Sequence, residues 1–184
     1  METDLWSYRM WTPLNAVFII YWLSYRPDRF QPATDSAVLA SFDLTNDSAL
    51  IRYDLAVDLS FRNSHRYAIS YLDVAASVFY NDTRLGPTDE AMPSFVQGRK
   101  NTTVLHPAFR GVVPVDTGVA VRLNRESAAG TLYLRVTVSL TLMYKVFFLD
   151  DIFFYKYDCW LWFPPPRNNT PALFSGDGTK CRRA

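Results

Sequence analysis

The stretch IRYDLAVDLSFR, Ile51–Arg62, alternates apolar and polar side chains with a period of two. Successive side chains of a β-strand point to opposite faces of a sheet, so this pattern predicts a strand with one buried and one solvated face. A second stretch, LYLRVTVSLTLMYK, Leu132–Lys145, shows the same alternation. At about 3.3 Å per residue each strand spans roughly 40 Å, a length typical of the paired sheets of a sandwich.

Shorter segments between these two strands are separated by residues that favour turns. Asn63-Ser64-His65 ends the first strand, and Asn81-Asp82-Thr83 predicts a hairpin turn. A strand predicted from about Thr102 to Phe109 is interrupted at Pro107. Because proline has no N–H to donate to a neighbouring strand, this interruption favours an edge or bulged strand.

The pattern as a whole predicts the fold class. Residues 115–125 are ambiguous between a strand and a short helix, residues 127–130 are predicted to form a loop, and no convincing long helix follows residue 36. Aromatic residues make up 16% of the chain and glycines number only 7, which suits a strand-rich fold. We therefore predict an all-β protein, an antiparallel β-sandwich of about seven to eight strands, immunoglobulin- or fibronectin-III-like, with a short N-terminal apolar helix. Residues 1–30 would form a short tail and a membrane-anchor-like helix, and residues 31–184 the sandwich domain.

Composition and motifs argue against several classes of function. The formal net charge is +1, with 19 basic and 18 acidic residues, so no nucleic-acid partner is expected. The two histidines, His65 and His106, have no cysteine, carboxylate or second histidine at metal-ligand spacing. Phosphate-binding, nucleophile-elbow and HExxH patterns are missing as well. We predict a non-enzymatic protein with no catalytic residues, no metal site and no cofactor.

Two kinds of residue point to an oxidising, secretory environment. Cys159 and Cys181 are predicted to form a disulfide there, and two buried free thiols are the alternative. Glycosylation sequons of the Asn-x-Ser/Thr type begin at Asn46, Asn81, Asn101 and Asn168. Because such sites are glycosylated only on the secretory route, they favour a domain outside the cytosol.

The N-terminal stretch WTPLNAVFIIYWLSYRPDRF, Trp11–Phe30, is the candidate membrane segment. Its candidate membrane residues are Trp11, Phe18, Ile19, Ile20, Trp22 and Leu23. A helix over residues 10–25 measures about 24 Å against a hydrocarbon core of about 30 Å. This length predicts either a thin, tilted span or a helix lying at the interface. Arg26 and Arg29 outnumber Arg9, a slight charge bias that by itself favours a cytoplasmic C-terminal domain.

The stretch VFFLDDIFFYKYDCWLWFPPPR, Val146–Arg167, is the most aromatic part of the chain. One interpretation is a last hairpin whose rings cover the open end of the sandwich. The other is an exposed aromatic surface that touches lipid headgroups or a partner.

Taken in order, several stretches resemble the plant late embryogenesis abundant (LEA) family, second group, in its NDR- and harpin-induced-like (NHL) branch. The stretches that carry the resemblance are YRPDRFQPATDSAVLASFDL, LIRYDLAVDLSFRNSHRYAISYLDVAASVFYNDTRLG, FVQGRKNTTVLHPAFRG, SLTLMYKVFFL and the tail with Cys159 and GTKC. Together they cover roughly Tyr25 to Cys181. Two positions depart from the family pattern: Asn63-Ser64-His65 stands where the family usually has Asn-Pro-Asn, and Leu72 is inserted into its Tyr-Asp pair.

The resemblance implies a membrane-tethered, non-enzymatic sandwich of plant defence (the hypersensitive response) and abiotic stress response. It implies a single-pass type II protein of the plasma membrane or endomembrane, with the C-terminal domain outside the cytosol; the sequons and the cysteines agree with this orientation, against the slight charge bias. The expected partners are membrane lipid, through the N-terminal helix, and a protein or cell-wall surface, with loops such as Gln97 to Thr103 displayed for contact. The alternative is a soluble LEA-type desiccation-protectant domain.

Overall fold

A computed structural model describes residues 13–20, 30–45, 50–146, 149–166 and 170–184. The chain divides into two compact units, Met1–Phe30 and Gln31–Ala184. In the described part of the first unit, residues 13–20 form a helix, α1. The described part of the second unit contains eleven strands and one further helix, α2.

The elements of the second unit follow one another in chain order as β1 (Ala33–Thr45), β2 (Leu50–Arg62), β3 (Ile69–Tyr80), β4 (Thr83–Met92), β5 (Phe95–Gln97), β6 (Thr102–Leu105), β7 (Ala108–Pro114), α2 (Thr117–Ala129), β8 (Leu132–Val146), β9 (Leu149–Phe163), β10 (Ala172–Lys180) and β11 (Arg182–Arg183).

The strands form two antiparallel sheets. A five-stranded sheet has the order β10-β1-β2-β6, and β7 also pairs with β2. A six-stranded sheet has the order β11-β9-β8-β3-β4, and β5 also pairs with β3. The longest ladder joins β8 to β9 without a register shift, from the pair Leu132 and Phe163 to the pair Val146 and Leu149.

The period-two alternation of the two long strands places their apolar side chains in the core, as predicted. The buried members on β2 and β8 are Ile51, Tyr53, Leu55, Val57, Leu59, Phe61, Leu132, Leu134, Val136, Val138, Leu140, Leu142 and Tyr144. Rings from the two sheets meet edge to face: Phe42 lies 5.3 Å from Tyr80, and Phe61 lies 5.9 Å from Tyr71, between ring centroids. The β-sandwich prediction is thus confirmed, although the described strands number eleven rather than seven or eight because three of them are very short or split.

Two irregular positions in the sequence correspond to irregular positions in the sheets. Leu72, the residue inserted into the family's Tyr-Asp pair, falls at a shift in register between β3 and β8 and is 44% exposed. One extra residue at such a bulge bends a strand without ending it. Pro107 separates β6 from β7, which both pair with β2, and its carbonyl oxygen still accepts a hydrogen bond from Val57 N at 3.0 Å. The interruption predicted at this proline is therefore confirmed.

The helix α2 corrects the interpretation of residues 115–130. Residues 127–129 belong to its last turn rather than to a loop. Asp116 caps the first turn, since its side chain accepts a hydrogen bond from Val119 N at 2.7 Å. Gly130 ends the helix in the left-handed conformation, with φ at 82°, and its N–H donates to carbonyl oxygens of the last turn. The helix buries Val119 and Leu123, which are four residues apart and so share one face.

We expect Asp116→Ala to lower the free energy of unfolding by about 1 kcal/mol, because the first-turn N–H group of Val119 loses its acceptor. Asp116→Asn keeps a side-chain oxygen at the same place and should stay close to the parent protein. Urea unfolding followed by circular dichroism measures both variants. An equal loss in the two variants would show that the charge, and not the cap, is what α2 requires.

Candidate functional site

The outward side of β8 and β9 carries exposed apolar side chains, four of them aromatic, that we call the aromatic face. Its members are Tyr133, Ile152, Phe154, Trp160 and Trp162. Phe154 is 76% exposed, whereas the alternate residues of the same strand, such as Tyr155 and Leu161, are buried. One side of β9 therefore packs into the sandwich and the other is an exposed aromatic surface. The hairpin of β8 and β9 is not the last hairpin that was predicted, because β10 and β11 follow it, and contact of the exposed surface with lipid or a partner stays a prediction.

Arg135 lies at the centre of one row across three strands of this face. Strand pairing places Phe79 of β3 beside Arg135 of β8, and Arg135 beside Trp160 of β9. The guanidinium carbon lies 5.0 Å from the centroid of the Phe79 ring and 5.5 Å from that of Trp160. A cation at this distance from a ring face is attracted to it, so Arg135 orients the half-exposed Trp160. Its nitrogens also lie 3.0 Å from Asp82 and 3.9 Å from Asp158.

A surface cavity of about 170 Å³ lies beside Arg135 and Trp160. We call it the polar cleft. Its lining residues are Phe79, Tyr80, Asn81, Asp82, Arg122, Glu126, Tyr133, Arg135 and Trp160. They come from the β3–β4 hairpin, from α2 and from the outward side of β8 and β9. Aromatic rings and charged groups thus line the same small space.

Glu126 of α2 links the residues on the α2 side of the polar cleft by hydrogen bonds. This carboxylate accepts hydrogen bonds from Arg122 at 2.7 Å, one helical turn away, and from the hydroxyl of Tyr80 at 3.1 Å. Burial, reinforced by the Glu126 carboxylate, raises the pKa of Tyr80 well above its ordinary value, so the phenol stays a neutral donor. The hydrogen bond to Glu126 also raises the pKa of Arg122.

The turn at Asn81 and Asp82 forms the rim of the polar cleft and confirms the predicted hairpin. Both residues have positive φ, 47° and 62°, between the paired residues Tyr80 and Thr83. Two-residue hairpin loops require this conformation, and asparagine and aspartate tolerate it better than other side chains do. The side-chain oxygen Oδ1 of Asn81 accepts a hydrogen bond from Arg122 on α2.

The predicted glycosylation sites are distributed as follows. Asn81 and Asn101 are both exposed. Asn101 is the last residue of the loop before β6, and its Oδ1 accepts a hydrogen bond from Thr102 N at 2.9 Å. Asn46 and Asn168 lie outside the described residues.

The predicted cysteine pair is joined. Cys159 of β9 and Cys181, the residue between β10 and β11, form a disulfide, and both are almost completely buried. The bond connects β9 of the six-stranded sheet to the residue that follows β10 of the five-stranded sheet. It therefore fastens the C-terminal strands, β10 among them, which the sequence did not predict.

Gln97, the first residue of the loop expected to be displayed, is instead completely buried. Its side-chain amide accepts a hydrogen bond from the Tyr71 hydroxyl at 2.8 Å and donates to the Phe61 carbonyl oxygen at 2.6 Å. Asn63, in the turn that lacks the family's proline, is also buried and donates to the carbonyl oxygens of Tyr67 and Gly98. These two amides hold the loops at this end of the sandwich, which is a structural role.

The candidate membrane residues are described only in part. Helix α1 is exposed along its whole length, with Phe18 at 69%, Ile19 at 56% and Ile20 at 64%. Trp11, Trp22 and Leu23 lie outside the described residues. Among the residues that are described, no helix combines the length and the apolar character that a bilayer crossing needs.

Of the residues that line the polar cleft, sequence reasoning nominated Asn81, as a sequon, and placed Asp82 in the hairpin turn, but it did not nominate the others. Local patterns contain part of the signal, since Tyr133 and Arg135 alternate with core residues on β8 just as Trp160 and Trp162 do on β9. Phe79 also stands two residues before the Asn81 sequon. What the sequence does not contain is the pairing that brings Phe79, Arg135 and Trp160 into one row.

The chain has relatives of known name in Arabidopsis thaliana. NDR1/HIN1-like protein 10 is 31% identical over 136 residues, which cover 72% of this chain and 59% of that protein. NDR1/HIN1-like protein 2 is 28% identical over 138 residues, with coverages of 72% and 55%. NDR1/HIN1-like protein 3 is 28% identical over 172 residues, with coverages of 91% and 73%. The chain thus spans less than two thirds of the length of the first two relatives.

Other comparisons add less. No protein-family model matches the chain. The solution structure of an LEA protein superposes with a TM-score of 0.37 at 15% identity, covering 92% of this chain and 90% of that one. A score of this size carries no conclusion, and the fold assignment rests on the strand pairing described above.

The three relatives bear the name of the branch that the ordered motifs predicted. Their matches reach most of the chain, as the resemblance did. The chain is therefore a homologue of the NDR1/HIN1-like proteins.

Proposed function

We propose that this protein is a membrane-tethered, non-enzymatic β-sandwich that acts in plant defence and stress responses through contacts with a protein or cell-wall surface. The aromatic face is the observation that carries the proposal. Exposed aromatic side chains cost solvation free energy in an isolated domain, and a group of them on one side of a sheet is typical of a surface that a partner covers. The homology to NDR1/HIN1-like proteins supports the defence and stress context.

The tether in this proposal is the N-terminal apolar segment. The exposed apolar residues of α1 include Leu14, Val17, Phe18, Ile19 and Ile20. A helix that presents apolar side chains on every side gains free energy by transfer to lipid. The segment would anchor a type II protein in the plasma membrane or endomembrane, with residues 31–184 outside the cytosol. The buried disulfide and the exposed sequons at Asn81 and Asn101 support that orientation.

We expect the full chain, expressed in plant cells, to remain in the membrane pellet after alkaline carbonate extraction. The triple variant Phe18→Ser, Ile19→Ser, Ile20→Ser should be released, because three buried apolar side chains contribute roughly 5–9 kcal/mol to transfer into lipid. A matched control changes three exposed apolar residues of the sandwich, Val96→Ser, Val112→Ser and Leu173→Ser, and should stay in the pellet.

Two outcomes would contradict the proposal in different ways. Release of the parent chain by carbonate would favour the alternative, a soluble desiccation-protectant domain. Retention in the pellet without any mobility change on glycosidase treatment would contradict the orientation while leaving the tether in place.

A further inference from the structure

We infer that Asn81 carries an N-linked glycan whose first sugar packs into the polar cleft against Trp160 and Tyr133. The inference rests on the proposed placement of residues 31–184 outside the cytosol. It assigns the first sugar of the glycan as the occupant of the polar cleft, and it gives the sequon at Asn81 a structural role.

The position of Asn81 suits modification. The residue is exposed and lies in a two-residue turn between paired strands, so a glycosylating enzyme reaches it without opening a sheet. Thr83, the hydroxyl residue of the sequon, begins β4 and is partly exposed. Asn81 is also the sequon residue that lines the polar cleft.

The hydrogen bond from Arg122 fixes the direction of the Asn81 amide in the folded domain. A guanidinium group only donates hydrogen bonds, so the atom that faces Arg122 must be the amide oxygen Oδ1. Nδ2, the nitrogen that accepts a glycan, makes no hydrogen bond within the described part of the chain. After glycosylation the linkage keeps its carbonyl oxygen, and the contact with Arg122 is therefore retained.

The chemistry of the cleft favours a neutral, hydroxyl-rich occupant over an ion. Arg122 already pairs with Glu126, and Arg135 already lies beside Asp82 and Asp158, so each guanidinium is balanced by carboxylates. A phosphate would meet those carboxylates at close range, which is unfavourable. A sugar instead places its C–H groups on the negative faces of Trp160 and Tyr133 and its hydroxyl groups toward the charged side chains. Both rings are about half exposed, so part of each ring is available for such contact while Arg135 lies over one face of Trp160.

The covalent step is a transfer from a lipid-linked oligosaccharide pyrophosphate, the donor class of the secretory route. A bond forms between Nδ2 of Asn81 and the anomeric carbon of the first sugar, while the bond from that carbon to the pyrophosphate oxygen breaks. The lipid pyrophosphate leaves with the bonding electron pair, and the proton that the amide loses balances the negative charge formed on it. Once attached at the rim, the sugar is present at the cleft at a high effective concentration.

The experiment uses the full chain produced in plant cells. Thr83→Val removes the sequon while keeping Asn81, its contact with Arg122 and a β-branched residue in β4. We expect this variant to lose one glycan on a mobility gel, and its Tm to fall by about 2–4 °C. Trp160→Ala should then lower Tm by more in the parent than in the Thr83→Val background, because the ring and the sugar act as a coupled pair. Phe154→Ala, an exposed ring of the same strand outside the cleft, should lower Tm equally in both backgrounds.

Each contrary result has a separate meaning. A mobility that changes with Asn101→Gln but not with Thr83→Val overturns the inference and leaves the proposed placement intact. A glycan at Asn81 whose loss is additive with Trp160→Ala overturns the packing. Absence of glycan from every sequon overturns the placement and the inference together.

Discussion

Replacing Gln97 with leucine should lower the free energy of unfolding by about 2–4 kcal/mol, although the new side chain is apolar, of similar size and placed in the core. Gln97 is completely buried. Its amide accepts a hydrogen bond from the Tyr71 hydroxyl and donates one to the Phe61 carbonyl oxygen. It also lies 3.2 Å from the Asn101 carbonyl oxygen and from the Thr103 hydroxyl. A buried polar group that loses a partner costs about 1–3 kcal/mol, since no water replaces the lost bond.

Chemical denaturation of the purified full chain measures this loss, and a double-mutant cycle tests its cause. Tyr71→Phe removes the hydroxyl that donates to Gln97. The double variant Tyr71→Phe, Gln97→Leu should therefore lose less free energy of unfolding than the sum of the losses in the two single variants. Val96→Ala, at the neighbouring 70% exposed position, should stay within about 0.5 kcal/mol of the parent protein. Strict additivity of the Tyr71 and Gln97 changes would mean that the hydrogen bond between these two side chains does not contribute to the loss.

The second large effect concerns the disulfide between Cys159 and Cys181. The variant Cys159→Ser, Cys181→Ser should lose about 3 kcal/mol, because a cross-link that closes a loop of 22 residues restricts the unfolded chain. In a domain of this size that loss corresponds to a fall in Tm of roughly 6–12 °C. The loop that the cross-link closes contains β10, an edge strand of the five-stranded sheet that pairs with β1. Because the variant lacks this restraint, we expect β10 to be the first strand to exchange its amide hydrogens.

Thermal unfolding with and without reductant provides the comparison. The parent protein, reduced while unfolded, should melt close to the double-serine variant, and the variant itself should not respond to reductant. If reduction leaves the Tm of the parent unchanged, the cross-link contributes nothing to stability and the loop restriction described above is the wrong explanation.

Much of the fold could be predicted because its strongest signals are local. In β2 and in residues 132–144 of β8 every second residue is apolar and each of those residues is buried, since a half-buried strand allows no other period. The turn at Asn81 and Asp82 and the break at Pro107 follow from single-residue chemistry, namely tolerance of positive φ and the missing N–H group.

Elements with weak local patterns were missed. The helix α2 buries only Val119 and Leu123 and depends on its caps at Asp116 and Gly130, so its apolar period is too sparse to separate it from a strand. β10 has a polar sequence and becomes a strand by pairing with β1, with the disulfide beside its end.

Local sequence was therefore sufficient to specify the sandwich class, the strands β2 and β8 and the hairpin turn at the Asn81 sequon, because each depends on the type and spacing of neighbouring residues. It favoured a disulfide between Cys159 and Cys181 but left two free thiols as the alternative, and the tertiary structure joins them. The polar cleft depends on contacts between distant segments: β3, α2, β8 and β9 meet there, and Arg135 acquires its two rings and its carboxylates only when three strands pair in register. Side chains far apart in the chain become neighbours through packing, and no pattern within one segment encodes the register that places them together.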